Sequence, residues 1–247
     1  MDNTSPQILL IFDIDGTLTY SDGATGRAFG AAFTQLTGVN VGPGAKRPFG
    51  MTDPQIFRDL LHHANIQPDN FQEMFLEFQK YFVPLMRVEL ANAKGARLLS
   101  GVQELLDTLS NDRRFALALG TGNMELSGRE KLRIHGADHY FPVGGFGSDA
   151  EDRSEVLRIA WKRAQKHWNT RFPLLNTWVI GDTPKDIAAG KSLGTMTLGI
   201  ASGVYSTDDL LAAKPNAVLS SLENRDQFLQ VVLQTNRRSL SCQYWRI

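Results

Sequence analysis

Two aspartates two residues apart, Asp13 and Asp15, close the apolar run QILLIFD and are followed by Gly16. Carboxylates this close repel one another, and the repulsion raises a pKa unless a cation offsets it. A hard divalent ion such as Mg2+ meets that need, because it prefers oxygen ligands. One carboxylate of such a pair can attack phosphorus and form an acyl phosphate. Its neighbour can protonate the leaving oxygen, then deprotonate the water that cleaves the intermediate. Taken alone, an Asp-x-Asp-Gly segment is also what an Asp-rich surface turn looks like, so its weight depends on what else reaches the same place.

The elements around it say what does. A short, nearly continuous apolar run bounded by turn residues predicts a buried parallel strand, here Gln7 to Asp13. Two further runs of this kind are Phe115 to Leu119 (FALAL), ending at Gly120-Thr121-Gly122-Asn123, and Thr177 to Ile180 (TWVI), ending at Gly181-Asp182. Weaker strands are expected at Tyr140 to Gly144, Thr195 to Ile200 and Ala217 to Leu219. Helical patterns fall between them, at Val102 to Leu109, from Asn123 to about His135, at 153–168 and at 184–193. Strands alternating with helices indicate an α/β fold with a Rossmann-like, doubly wound parallel sheet. Ligands of such sheets bind beyond the carboxyl ends of the strands. Asp13 with Asp15, Thr121, and Asp182 with Asp186 all follow strand ends, so three distant segments are expected to converge.

Between the first and second strands lie about seventy residues with no convincing strand. Residues 22–38, 52–65 and 68–91 read as helices, with Thr52 or Asp53 and then Asp69 as candidate caps and Pro54 in a first turn. Phe71, Phe75, Phe78 and Phe82 recur at spacings of three and four, the mark of a core face. The expected organisation is a catalytic core of residues 1–18 and 95–247 with a small all-helical cap domain, 19–94, inserted after the first strand.

Asp13-Ile14-Asp15-Gly16-Thr17-Leu18 resembles the first motif of the haloacid dehalogenase superfamily, most of whose members are phosphatases on a Rossmann-like core. Thr121 matches the second motif, and Gly181-Asp182-Thr183-Pro184-Lys185-Asp186 the acidic fourth motif. The resemblance implies that Asp13 is the nucleophile, Asp15 the general acid/base, and Thr121 a ligand of the transferring phosphoryl group. It further implies that Asp13, Asp182 and the backbone carbonyl of Asp15 hold Mg2+, with Asp186 behind the ion or as an additional ligand. Gly122 and Asn123 could offer backbone N–H groups to phosphate at a helix start, or Asn123 could serve as a plain N-cap. The third motif departs from the family pattern, which places a lysine before the helix that precedes the acidic strand. Here the segment reads Glu151-Asp152-Arg153-Ser154-Glu155. Arg153 is favoured as its basic residue by its position, with Lys131 as the rival. The segment Phe49 to Pro54 resembles a Gly-x-Thr-Asp loop of phosphoglycolate-phosphatase-like members, and Lys46, Arg47 or Arg87 are candidates to meet an anionic substrate there.

Composition narrows the alternatives. Lys plus Arg and Asp plus Glu are 26 each, so the net charge of zero argues against nucleic acid or an anionic membrane surface as partner. Ile8 to Phe12 is too short to span a bilayer, and the N-terminus lacks a signal-peptide pattern. The one cysteine, Cys242, fits a reducing cytoplasm. His62 and His63 are adjacent and so point apart, which disfavours a metal pair. The tail Arg237 to Ile247 reads as a packed segment, and the chain as a monomer or homodimer. The expected function is a Mg2+-dependent phosphomonoester hydrolase acting on a small, phosphoglycolate-like metabolite. The alternatives are a phosphosugar mutase of the same fold and, less favoured, a non-catalytic binding protein. Asp15 speaks against a dehalogenase, whose attack on carbon needs no such acid.

Overall fold

All five residues of the first strand, β1 (Ile8–Phe12), are buried, as befits a strand covered on both faces. The computed structural model describes residues 5–41 and 50–234. After β1 come a two-residue strand β2 (Thr19–Tyr20), helices α1 (Ala24–Thr37), α2 (Asp53–His63) and α3 (Phe71–Asn92), and a second short strand β3 (Arg97–Leu98). The chain continues through α4 (Val102–Asn111), β4 (Phe115–Gly120), α5 (Glu125–Arg133), β5 (Val143–Gly145) and α6 (Arg153–His167). It ends with β6 (Thr177–Gly181), α7 (Pro184–Leu193), β7 (Met196–Ile200), α8 (Thr207–Ala212), β8 (Ala217–Leu219) and α9 (Arg225–Gln234).

Six strands form one parallel sheet in the order β5-β4-β1-β6-β7-β8. Alternate side chains of β1 and β4 go to opposite faces. Ile8, Leu10, Phe12, Phe115, Leu117 and Leu119 pack with Leu105, Leu109 and Phe228 of α4 and α9. Leu9, Ile11, Ala116 and Ala118 pack with Leu157 and Ala160 of α6 and Ala189 of α7. The sheet grows from β1 toward β4 and β5 on one side and toward β6, β7 and β8 on the other. The strand order therefore reverses at β1, and a crevice is left at its carboxyl end.

The helical insert has its own core. Phe75, Phe78 and Phe82 of α3 meet Phe29 and Phe33 of α1 and Phe57 of α2, all buried. Ring centroids lie 4.5 Å apart for Phe29–Phe78 and 4.7 Å for Phe57–Phe78, within the range where aromatic pairs attract. The expected phenylalanine stripe is thus a core face. Two local details differ from expectation. Asn70, not Asp69, caps α3, its Oδ1 accepting from the backbone of Gln72 and Glu73. The insert is also tied off by an antiparallel ribbon, with Thr19 opposite Leu98 and Tyr20 opposite Arg97. Two-residue strands carry no periodicity to read. Lys46, Arg47, Phe49 and the segment from Arg237 to Ile247 with Cys242 lie outside the described residues. Among the described residues no helix is long and apolar enough to cross a membrane.

Candidate active site

Asp13 is the residue after β1, and only 7% of it is exposed. Its Oδ1 lies 2.9 Å from Nη2 of Arg153. Arg153 opens α6 behind the N-cap Asp152, whose side chain accepts from the backbone N–H of Glu155. A cation at a helix N-terminus opposes the helix dipole, so something else must hold it there. Asp186 does: its Oδ1 accepts from Arg153 Nε at 2.7 Å and also pairs with Nη2. Its Oδ2 accepts from the backbone N–H of Thr183 at 3.1 Å and the hydroxyl at 2.7 Å, closing the capping box of α7. Both oxygens of Asp186 are therefore engaged. Nη2 of Arg153 is buried between two carboxylates without a hydrogen directed well at either.

Asp182 follows β6, the strand beside β1, and one carboxylate oxygen from each of Asp13, Asp182 and Asp186 lies within 4.8 Å of the other two. The Thr17 hydroxyl donates to Asp182 Oδ1 at 3.4 Å. Gly16 makes this approach possible: its φ of +78° suits glycine, and a Cβ there would overlap Asp182 Oδ2. Burial above all, then repulsion from Asp13 and Asp186, pushes the Asp182 carboxyl from an ordinary 3.8 up to about 8. Burial also pushes Asp13 up, to about 6. Arg153 opposes that rise, and Asp186 and Asp15 add to it. For Arg153, burial favours the neutral form, but Asp13 and Asp186 outweigh it and hold the guanidinium charged. Three buried acids against one guanidinium leave an excess of negative charge, and every donor is a hard oxygen. That set fits a divalent cation.

Asp15 turns to a different cation. Nζ of Lys131, on α5, lies 2.8 and 2.6 Å from its two carboxylate oxygens. Nδ2 of Asn123 donates to Asp15 Oδ2 and to Thr121 Oγ1, each at 2.8 Å. The backbone N–H of Asn123 also donates to Thr121 Oγ1, at 3.3 Å. Met124, not Asn123, occupies the cap position of α5, so the Asn123 side chain serves Asp15 and Thr121 instead of the helix end.

A family model described as haloacid dehalogenase-like hydrolase matches residues 9–194. The chain belongs to the haloacid dehalogenase-like hydrolases. A phosphoglycolate phosphatase from Vibrio vulnificus is 30% identical over 238 residues, covering 91% of this chain and 96% of the relative. Among solved structures, a hydrolase from Pseudomonas syringae matches with a TM-score of 0.67 at 19% identity, over 91% of this chain and 98% of that one. A haloacid dehalogenase-like family hydrolase from Streptococcus pneumoniae matches with a TM-score of 0.63 at 20% identity, over 91% and 99%. Within the family the chain is a phosphatase.

In this haloacid dehalogenase-like phosphatase the insert sits directly on the loop after β4. The backbone N–H of Asp53 donates to Gly122 O at 2.8 Å. The buried Asp53 carboxylate accepts from Met124 N at 2.9 Å and Ser127 Oγ at 3.4 Å, at the start of α5. Thr52 Oγ1 donates to Glu151 O at 3.2 Å, just ahead of Arg153. Of the two candidate caps of α2, Thr52 takes the position, and Asp53 makes a contact that helix patterning does not reveal. Its place in a Gly-x-Thr-Asp segment was the available signal. Arg87, one of three candidates to meet an anionic substrate, pairs with Glu130 of α5 at 2.6 Å. Lys94 and Arg97, near the ribbon, are exposed, and Arg97 lies over the Tyr20 ring. His62 and His63 are exposed on α2.

Proposed function

We propose that this phosphatase hydrolyses a small phosphorylated metabolite, phosphoglycolate or a close analogue, by way of an aspartyl phosphate on Asp13. The observation that carries the reading is the separation of the two N-terminal acids. Asp13 lies with Arg153, Asp182 and Asp186, while Asp15 lies with Lys131 and Asn123. One acid is thereby kept for phosphorus and the other for protons. The Asp13 carboxylate attacks phosphorus in line as the ester P–O bond breaks. Asp15 gives its proton to the departing oxygen, then takes one from the water that attacks the aspartyl phosphate and releases inorganic phosphate. Arg153 holds Asp13 and offers positive charge to the phosphoryl oxygens, and the Thr121 hydroxyl offers them a donor.

Asp13, Asp182 and the backbone carbonyl of Asp15 would hold Mg2+, with Asp186 fixing Arg153 behind them. Bound there, the ion would neutralise charge that nucleophile and phosphate bring together. Residues 19–94 act as the cap over a core of 1–18 and 95–247. The Asp53–Gly122 contact supports this reading, because it seats the insert on the phosphate loop, where closure excludes bulk water.

The test is phosphate release from chelator-treated protein, with and without added Mg2+, across phosphoglycolate, sugar phosphates, nucleoside monophosphates and an aryl phosphate. Mg2+-dependent release, highest with phosphoglycolate and absent in Asp13→Asn, is expected. Turnover by Asp13→Asn at the wild-type rate would overturn the nucleophile. Isomerisation of a sugar phosphate without release of phosphate would identify a mutase instead.

A further inference from the structure

Two cations reach the carboxyl end of β1, and the mechanism above uses only Arg153. Lys131 is 2% exposed, and burying an ammonium is costly unless it is paired and hydrogen-bonded. Its Nζ has three hydrogens and three oxygen neighbours: Asp15 Oδ1 at 2.8 Å, Asp15 Oδ2 at 2.6 Å and Asn123 Oδ1 at 2.6 Å. Nothing is left over for a phosphoryl oxygen, so Lys131 is not a second phosphate-binding cation. The approach is built into α5. A Cβ on Gly128, one turn before Lys131, would come within 3.1 Å of Ile14 Cδ1 and 3.3 Å of Asn123 Cβ. The missing side chain lets the helix lie against the loop that carries Asp15.

The contacts on the two oxygens of Asp15 are unequal. Oδ2 receives Lys131 and Asn123 Nδ2, while Oδ1 receives Lys131 alone. Asn123 is in turn held by Thr121 Oγ1, so the frame connects the end of β4 to the end of β1. We infer that Lys131 is a positioning residue for Asp15: together with Asn123 it fixes the plane of the carboxyl group and so aims the acid/base at the ester oxygen. This rests on the reading of Asp15 as the acid/base. The Asp15 carboxyl gives its proton to the ester oxygen as the P–O bond breaks and recovers one from the attacking water. The protons of Lys131 stay where they are.

A comparison of two leaving groups tests it. An aryl phosphate whose phenolate leaves unaided needs no acid, whereas an alkyl phosphate does. The quantity to measure is kcat/KM, which reports the steps up to loss of the alcohol and not the later attack of water. Lys131→Met is expected to lower kcat/KM by about 100-fold for the alkyl ester and no more than about threefold for the aryl ester, within the range that a positioned acid contributes. In an Asp15→Asn background the same substitution is expected to add less than about a twofold loss, since residues acting as a unit are not additive. Equal losses on the two esters, or losses that multiply in the double variant, would overturn the inference. Lys131→Gln, which keeps a donor without the charge, goes through the same comparison if Lys131→Met does not fold. Asp15→Asn alone is the separate control. Without a leaving-group split of its own, the acid/base reading of Asp15 fails, and the role of Lys131 falls with it.

Discussion

The edge of the sheet and the helical insert bury opposite kinds of group. At the edge, Asp13, Asp182, Asp186 and Arg153 are each no more than 9% exposed. In the insert the buried groups are Phe29, Phe33, Phe57, Phe75, Phe78 and Phe82, and Asp53 is its one buried charge among the described residues. Like charges crowded away from water oppose folding, and they persist where chemistry needs them. Aromatic rings packed on one another favour folding and do no chemistry. Changes at the edge should therefore remove activity and spare or improve stability, while changes in the insert should do the reverse.

The largest effect is expected at Asp182. Asp182→Asn removes one oxygen donor from the proposed metal set and should lower kcat on the order of 10³-fold, the scale of the charge stabilisation a bound metal gives. In chelator the same variant should melt at a higher temperature than the wild type, because one of three mutually repelling acids is gone. A drop in both activity and melting temperature would break the comparison. Next is Phe78→Ala. Its ring stands against Phe29, Phe57, Phe75 and Phe82, and losing a buried phenylalanine side chain costs about 3–5 kcal/mol. Chemical denaturation should show that loss, with the folded fraction still depending on Mg2+.

This division is partly legible in the amino-acid sequence. Parallel strands buried on both faces are short apolar runs, and those ending at Asp13, Thr121 and Asp182 stood out for that reason. The strand order, with β1 between β4 and β6, brings those ends together. The phenylalanine stripe was equally plain, because α3 repeats it over three turns. Pairwise partners were not legible. Arg153 and Lys131 were posed as rivals for one role, yet each faces its own aspartate. That assignment depends on how α5 and α6 dock on the sheet, and no local pattern encodes docking. The same limit hid the Asp53 contact to Met124 N and the pairing of Arg87 with Glu130. The ribbon of β2 and β3 escaped because two residues show no period.

The pH dependence of stability sharpens the contrast. In metal-free folded protein, burial holds Asp13 at about 6 and Asp182 at about 8, against 3.8 for an ordinary aspartate. Across that window the folded state keeps protons that the unfolded chain has already released. Its stability is then greatest at the acid end and falls as pH rises through the two folded-state values. Melting temperature in chelator should decline by several degrees between about pH 5 and pH 8.5. Added Mg2+ should reverse most of the decline, and by more at the higher pH, where the ligands are already deprotonated. A chelated protein equally stable across the range would mean that the three acids do not oppose one another as their burial implies.

The smallest effect lies where the two regions meet. Arg87 of α3 pairs with Glu130 of α5, and Arg58 of α2 pairs with Glu151, both at 2.6 Å. Both arginine side chains are more than half exposed, and pairs of that kind contribute little and are screened by salt. Glu130 is nearly buried, yet losing Arg87 does not orphan it, because Arg133 remains at 2.6 Å. By contrast, the Asp53 contacts to Gly122 and Met124 are buried and do not depend on either arginine. Arg58→Ala with Arg87→Ala should therefore leave kcat unchanged and raise KM by about twofold at low ionic strength, with the difference gone near 1 M salt. The measurement is KM against salt concentration for both proteins. A tenfold loss of kcat that salt does not change would mean that the insert is aligned by these ion pairs and not by Asp53.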